Sequence, residues 1–183
     1  MNHVMVDIES LGTKPGSVIL SIGAVKFDET NLGQTFYQPI DVLSCLMAGL
    51  KTDPDTIAFW RQYPDMMGVF YPATRIRVVL TDFARYLGRN SCVWAKGPDF
   101  DLVLLEKAYD AAGIEELPWH YRNARDVRTV LSLVKHKPEV HHTFPKHHAL
   151  GDAVLQARQV QEIYRHLGLK LSEELNNGTA TAP

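Results

Sequence analysis

Residues 3–9 alternate strictly. Val4, Val6 and Ile8 fall on one side of an extended chain, and Met5, Asp7 and Glu9 fall on the other, so this segment is predicted as a strand with both acids on one face. Gly, Lys, Pro and Gly within residues 11–17 predict a turn, and residues 18–27 (VILSIGAVKF) predict a second strand. A turn at 28–33 leads to a third strand at 35–40, so three antiparallel strands open the chain.

A helical rhythm then takes over. Residues 41–50 read as a short helix, and Asp53-Pro54 offers an N-cap and a first-turn proline for another that runs through Trp60 to about residue 63. Within 74–88, Ile76, Val79, Leu80, Phe83 and Leu87 recur at helical spacing, and Gly88 closes the run. Residues 91–95 form a short apolar strand, followed by a helix from about Phe100 to Gly113. A short strand is expected at 118–123 and a helix from about 126 to 135. Two prolines and three histidines without periodicity make 136–146 a loop, after which 147–167 is helical and Gly168 stops it. The order predicts an α/β fold, a mixed sheet with antiparallel strands first and parallel strands after them, flanked by helices. Residues 1–170 are expected to form a single domain, and residues 171–183 a partly disordered tail.

Composition narrows the choice of partners. With 183 residues and 45% hydrophobic side chains the chain can bury one sizeable core. A formal charge of −2 argues against a protein that coats duplex nucleic acid with a large basic excess. Cys45 and Cys92 are the only cysteines and lack C-x-x-C spacing, which suits a reduced cytoplasmic protein. The opening MNHVMVDIES has no basic segment followed by an apolar run, and no stretch reaches the ~20 apolar residues of a membrane span, so neither a signal peptide nor a membrane partner is expected.

Three segments carry candidate chemistry. Two acids at i and i+2 on a largely buried strand are costly when ionised and unpaired, so Asp7 and Glu9 require solvated strand ends, basic partners or bound cations. In WAKGPDFD (94–101), Asp99 reads as a helix N-cap, while Asp101 is placed to project over the strand ends. In KHHALGDA (146–153), His148 and Asp152 are i and i+4 and share a helix face; His147 joins them only from a preceding loop, so spacing alone favours His148.

Taken in order, D-x-E, F-D and H-x-x-x-x-D resemble the DEDD superfamily of 3′-to-5′ exonucleases, which have a ribonuclease H-like fold. The histidine five residues before the last aspartate marks the DEDDh branch, and by that resemblance it is His147. DIESLGTKPGSVILSIGAVKF, WAKGPDFD, RDVRT (125–129) and HHALGDA look most like a smaller group that includes phage exodeoxyribonuclease A and ribonuclease AS, over residues 3 to about 167. Lys96 departs from the pattern, standing where many members carry a small or amide residue.

The resemblance implies hydrolysis with two Mg²⁺ or Mn²⁺ ions roughly 3.5–4 Å apart, held by Asp7, Glu9, Asp101 and Asp152. Asp7 would bridge both ions, Glu9 and Asp152 would complete the site nearer the water, and Asp101 would serve the second ion. His147 would be the general base, since an imidazole of pKa ~6.5 takes a proton near neutral pH. The implied substrate is single-stranded nucleic acid or a 3′ overhang, RNA or DNA, shortened to nucleoside 5′-monophosphates. Ser10, Leu11 and Gly12 would floor the terminal nucleotide, with Leu11 as wedge, and Arg125, Arg128 and Lys146 are candidate phosphate contacts. Trp60 and Trp94 read as core residues. A homodimer is compatible with the resemblance. The competing readings are a catalytically silent end-binding module and a ribonuclease H-type endonuclease.

Overall fold

A computed structural model describes residues 1–88, 90–141 and 144–171. Its strands are β1 (His3–Ser10), β2 (Ile19–Phe27), β3 (Leu32–Pro39), β4 (Cys92–Ala95) and β5 (Ala124–Asp126). Its helices are α1 (Val42–Met47), α2 (Pro54–Trp60), α3 (Pro64–Met67), α4 (Ile76–Leu87), α5 (Pro98–Ala111), α6 (Val127–Leu131) and α7 (Ala149–His166). The five strands lie in the order β3-β2-β1-β4-β5. The first three are antiparallel, while β4 runs parallel to β1 and β5 parallel to β4. This is the expected mixed α/β sheet.

The alternation along β1 divides the interior into two cores. Val4, Val6 and Ile8 pack with Val79, Leu80 and Phe83 of α4 and Leu104, Leu105 and Ala108 of α5. Met5 points the other way, into a core with Val127 of α6 and Ala153, Ala157 and Val160 of α7. Asp7 and Glu9 continue the Met5 side of the strand and therefore lie under α7. Trp60 and Trp94 are buried as expected, and each indole N–H has an acceptor, the Ser10 carbonyl at 2.9 Å and His3 Nδ1 at 2.9 Å. Both cysteines are buried free thiols. Among the described residues no helix is long and apolar enough to cross a membrane.

Several boundaries differ from the sequence reading for identifiable reasons. The last strand is Ala124–Asp126, while Tyr121–Asn123, inside the expected strand, forms a 3-10 turn. Pairing with β4 begins at Val93↔Ala124, and Asp126 then caps α6 by accepting the N–H groups of Arg128 and Thr129. α6 ends at Leu131, short of residue 135, and β3 starts earlier than expected, at Leu32. α2 stops at Trp60, and Pro64 starts the separate α3. Asp99 is not the cap of α5: Gly97, at φ 103°, holds that position, and Pro98 follows in the first turn. α7 begins at Ala149 and leaves His147 outside it. Leu171, expected in the tail, is buried against the α6–α7 core, and residues 172–183 lie outside the described residues. The described part of 136–146 holds no helix or strand, as expected.

Candidate active site

The site begins with a glycine inside a strand. Gly23 of β2 pairs with Asp7, and a Cβ added to it would lie 2.1 Å from the Leu150 nitrogen and 2.2 Å from the Ala149 carbonyl carbon. The first turn of α7 therefore rests on bare sheet backbone, a closeness only glycine permits. Asp152 lies in that turn. The approach brings one carboxylate oxygen each from Asp7, Glu9 and Asp152 within 4.8 Å of one another.

Asp101 arrives from the other side. It lies in the first turn of α5, directly after β4, and is only 4% exposed. Its Oδ1 accepts the Ile8 N–H at 3.3 Å, which ties it to the strand carrying the other two acids. It stands beside the close trio and adds to its charge.

The electrostatics follow from this crowding. Burial pushes Asp7 well above the usual carboxylate range, and repulsion from Asp101, Glu9 and Asp152 adds to it. Burial, then repulsion from Asp152 and Asp101, raises Glu9 to about 8. Burial raises Asp101 to about 7, against the lowering pull of the Ile8 amide and Arg128. Four acids so placed cannot all ionise near neutral pH without a countercharge. A cluster of hard oxygen donors fits a divalent cation, which could supply it.

The two histidines have different surroundings. His148 is the N-cap of α7: its Nδ1 accepts the Gly151 N–H at 3.3 Å, its carbonyl accepts the Asp152 N–H at 2.9 Å, and its ring stacks on Tyr37 at 4.4 Å. Burial holds its imidazole below the usual histidine range, as suits an acceptor. The helical spacing between His148 and Asp152 thus serves the backbone. His147 adopts φ 61°, an uncommon conformation for a residue other than glycine. Its ring meets Phe59, Trp60 and Tyr63 nearly edge-on, with centroids 5.1, 6.0 and 4.6 Å away.

A cleft of about 450 Å³ opens beside Glu9, walled by Ser10, Asp55, Phe59, Trp60 and Phe100. Ser10 lines it, but Leu11 and Gly12 do not. Leu11 packs into the cores on either side, its N–H donates to the Val18 carbonyl at 2.8 Å, and its carbonyl accepts the Asp53 N–H at 2.6 Å. Gly12 accepts the Ser10 hydroxyl, and a Cβ on it would meet Ser17 Oγ at 2.4 Å. The aromatic walls of the cleft come instead from α2 and α5. Arg125 is also elsewhere: its guanidinium donates to the Arg122 and Ala124 carbonyls, and its charge acts on Cys92 and Tyr164. Arg128 lies nearer the acids. Its guanidinium lies against Gly97, where a Cβ would sit 2.4 Å from Nη1, and its charge acts on Asp101. Lys146 is exposed immediately before His147.

Sequence reasoning missed Gln156, Gly23 and the aromatic surroundings of His147. Gln156 is 4% exposed and its Nε2 donates to Asp7 Oδ1 at 2.8 Å. Its position, one turn beyond Asp152 on the same helix face, was a readable signal. So was a glycine in the middle of a strand.

The mixed sheet, flanked by helices on both faces, has the fold of solved nucleases. Exonuclease X, solved in complex with 5′ overhanging duplex DNA, shares the fold with a TM-score of 0.57 at 16% identity, over 92% of this chain and 94% of that one. Cell-death related nuclease 4 (CRN-4) gives a TM-score of 0.59 at 11% identity, over 90% of this chain and 64% of that one. No curated protein matches the sequence. Residues 2–164 match the 3′-5′ exoribonuclease Rv2179c-like domain, and the chain belongs to that family. It is a 3′-5′ exonuclease.

Proposed function

We propose that the protein is a two-metal-ion exonuclease of the DEDDh type that removes nucleotides from the 3′ end of single-stranded nucleic acid or of a 3′ overhang, RNA or DNA. The observation that carries this reading is the gathering of Asp7, Glu9 and Asp152 oxygens within 4.8 Å, with Asp101 buried beside them. Two Mg²⁺ or Mn²⁺ ions, when bound, supply charge stabilisation at the phosphate and an acidified water. Asp7, Glu9, Asp101 and Asp152 would hold them.

The protein's own groups account for the rest. The terminal base lies in the cleft against Phe59 and Phe100, and the phosphates that follow it meet Arg128 and Lys146. His147, outside the helix and not used as a cap, takes the proton from the attacking water at a ring nitrogen. As the water oxygen bonds to phosphorus, the P–O3′ bond breaks. A nucleoside 5′-monophosphate leaves, and the shortened strand keeps a 3′-hydroxyl after that oxygen gains a proton. A cytoplasmic setting belongs to the same reading, supported by the two free thiols. Assembly as a homodimer follows from the family resemblance alone.

The test is digestion of 5′-labelled RNA and DNA strands of one sequence, with Mg²⁺ and with EDTA. A ladder of shortening products that needs the metal is expected, together with its loss in Asp7→Asn. Internal cuts, or retention of uncut strand, would replace this reading by an endonuclease or an end-binding module.

A further inference from the structure

Gln156 is a long polar side chain buried between α7 and β1, where an apolar residue would pack without cost. Its Nε2 donates to Asp7 Oδ1 at 2.8 Å, while its Oε1 is buried without a hydrogen-bond partner among the described residues. A buried acceptor left unpaired is a penalty that calls for an explanation. The neighbours supply none in terms of packing, because the flanking residues on this face of α7, Ala153, Ala157 and Val160, are apolar and buried. Among the described residues the amide's one hydrogen bond is with Asp7, whose carboxylate sits in the close trio.

We infer that Gln156 is a positioning residue for the metal site, which fixes the rotation of the Asp7 carboxylate so that its oxygens are presented to the cations together with Glu9 and Asp152. The inference rests on the metal-dependent reading above. With Oδ1 held by the amide, turning the carboxylate about its Cβ–Cγ bond breaks a buried hydrogen bond. The geometry is then set before any cation arrives. Because Gln156 follows Asp152 by one helical turn, a single rigid element places one acid of the trio and orients another.

The experiment uses the full chain. Mn²⁺ binding is measured by calorimetry or electron paramagnetic resonance for wild type, Asp7→Asn, Gln156→Met and Gln156→Leu. Turnover is measured across a Mn²⁺ titration, and melting temperature is taken in EDTA. Outer partners of metal ligands typically account for roughly 10–100-fold in affinity or activity, and a loss of Mn²⁺ affinity of that size is expected in both Gln156 variants. Their melting temperatures in EDTA should stay close to wild type, since removal of the unpaired Oε1 offsets loss of the hydrogen bond to Asp7 Oδ1. Substrate KM should hold, and turnover should recover at high Mn²⁺. A folded Gln156→Met or Gln156→Leu protein with wild-type Mn²⁺ affinity overturns the inference. Wild type that binds no Mn²⁺, or Asp7→Asn that binds it equally well, overturns the metal reading itself.

Discussion

Helices α5 and α7 both deliver an acid from their first turn to the same strand, yet they are anchored in different ways. α5 starts from the left-handed Gly97 and Pro98, directly off β4, and Asp101 is secured by accepting a backbone N–H of β1. α7 starts at the end of a long loop, capped by His148, and Asp152 reaches its partners only because the helix lies on Gly23. The first acid is held by a hydrogen bond and a short connection, the second by how closely a helix can approach a sheet. The contrast teaches that a buried charge cluster needs no shared element to hold it together, provided each contributor has its own stop.

The largest effect should come from removing the stop under α7. Gly23→Ala places a methyl group on the backbone of Ala149 and Leu150, so α7 must lift, with a stability cost of about 1–3 kcal/mol and loss of most activity and Mn²⁺ binding. Thermal melts and a Mn²⁺ titration check it, and wild-type metal affinity in Gly23→Ala would refute the account of α7 docking. Next, Asp152→Asn should weaken Mn²⁺ binding more than Asp101→Asn, because Asp152 is within the 4.8 Å trio and Asp101 stands beside it. Equal losses would mean that the two anchors form one site without rank.

The pH dependence of the metal-free protein comes third. Glu9 is raised to about 8 and Asp101 to about 7, both from unfolded values near 4, so ionisation opposes the fold. Their contribution is fully present below pH 4 and is lost as pH rises through 7 and then 8. In EDTA the melting temperature should fall across that window. The fall should be shallower in Asp101→Asn and nearly absent with saturating Mn²⁺. A flat curve in EDTA would show that the acids are already compensated.

The smallest effect concerns Arg128, which lies against the start of α5. Arg128→Ala should raise KM severalfold and reduce the salt slope of substrate binding by about 1, while Arg125→Ala should do neither. Steady-state kinetics at two salt concentrations separate the two variants.

Much of this was legible along the chain. The two-residue alternation of 3–9 assigned Asp7 and Glu9 to one face, and the mixed sheet followed from the order of elements. Asp101 was readable as the acid at a strand-to-helix junction. The role of Asp99 was misread because a left-handed glycine followed by proline can start a helix without a side-chain cap. Motif position alone does not say where hydrogen bonds go: the Leu11 backbone bonds Val18 and Asp53, and the Arg125 guanidinium bonds the Arg122 and Ala124 carbonyls.

Local periodicity, turn chemistry and residue type settle which segments become strands and helices, because those preferences act over a few neighbouring residues. They also supply the inventory of acids and histidines. Which acids meet and which amide fixes Asp7 depend on approach distances between segments 93 to 149 residues apart. Those distances are set by packing, down to the one methyl group that Gly23 lacks.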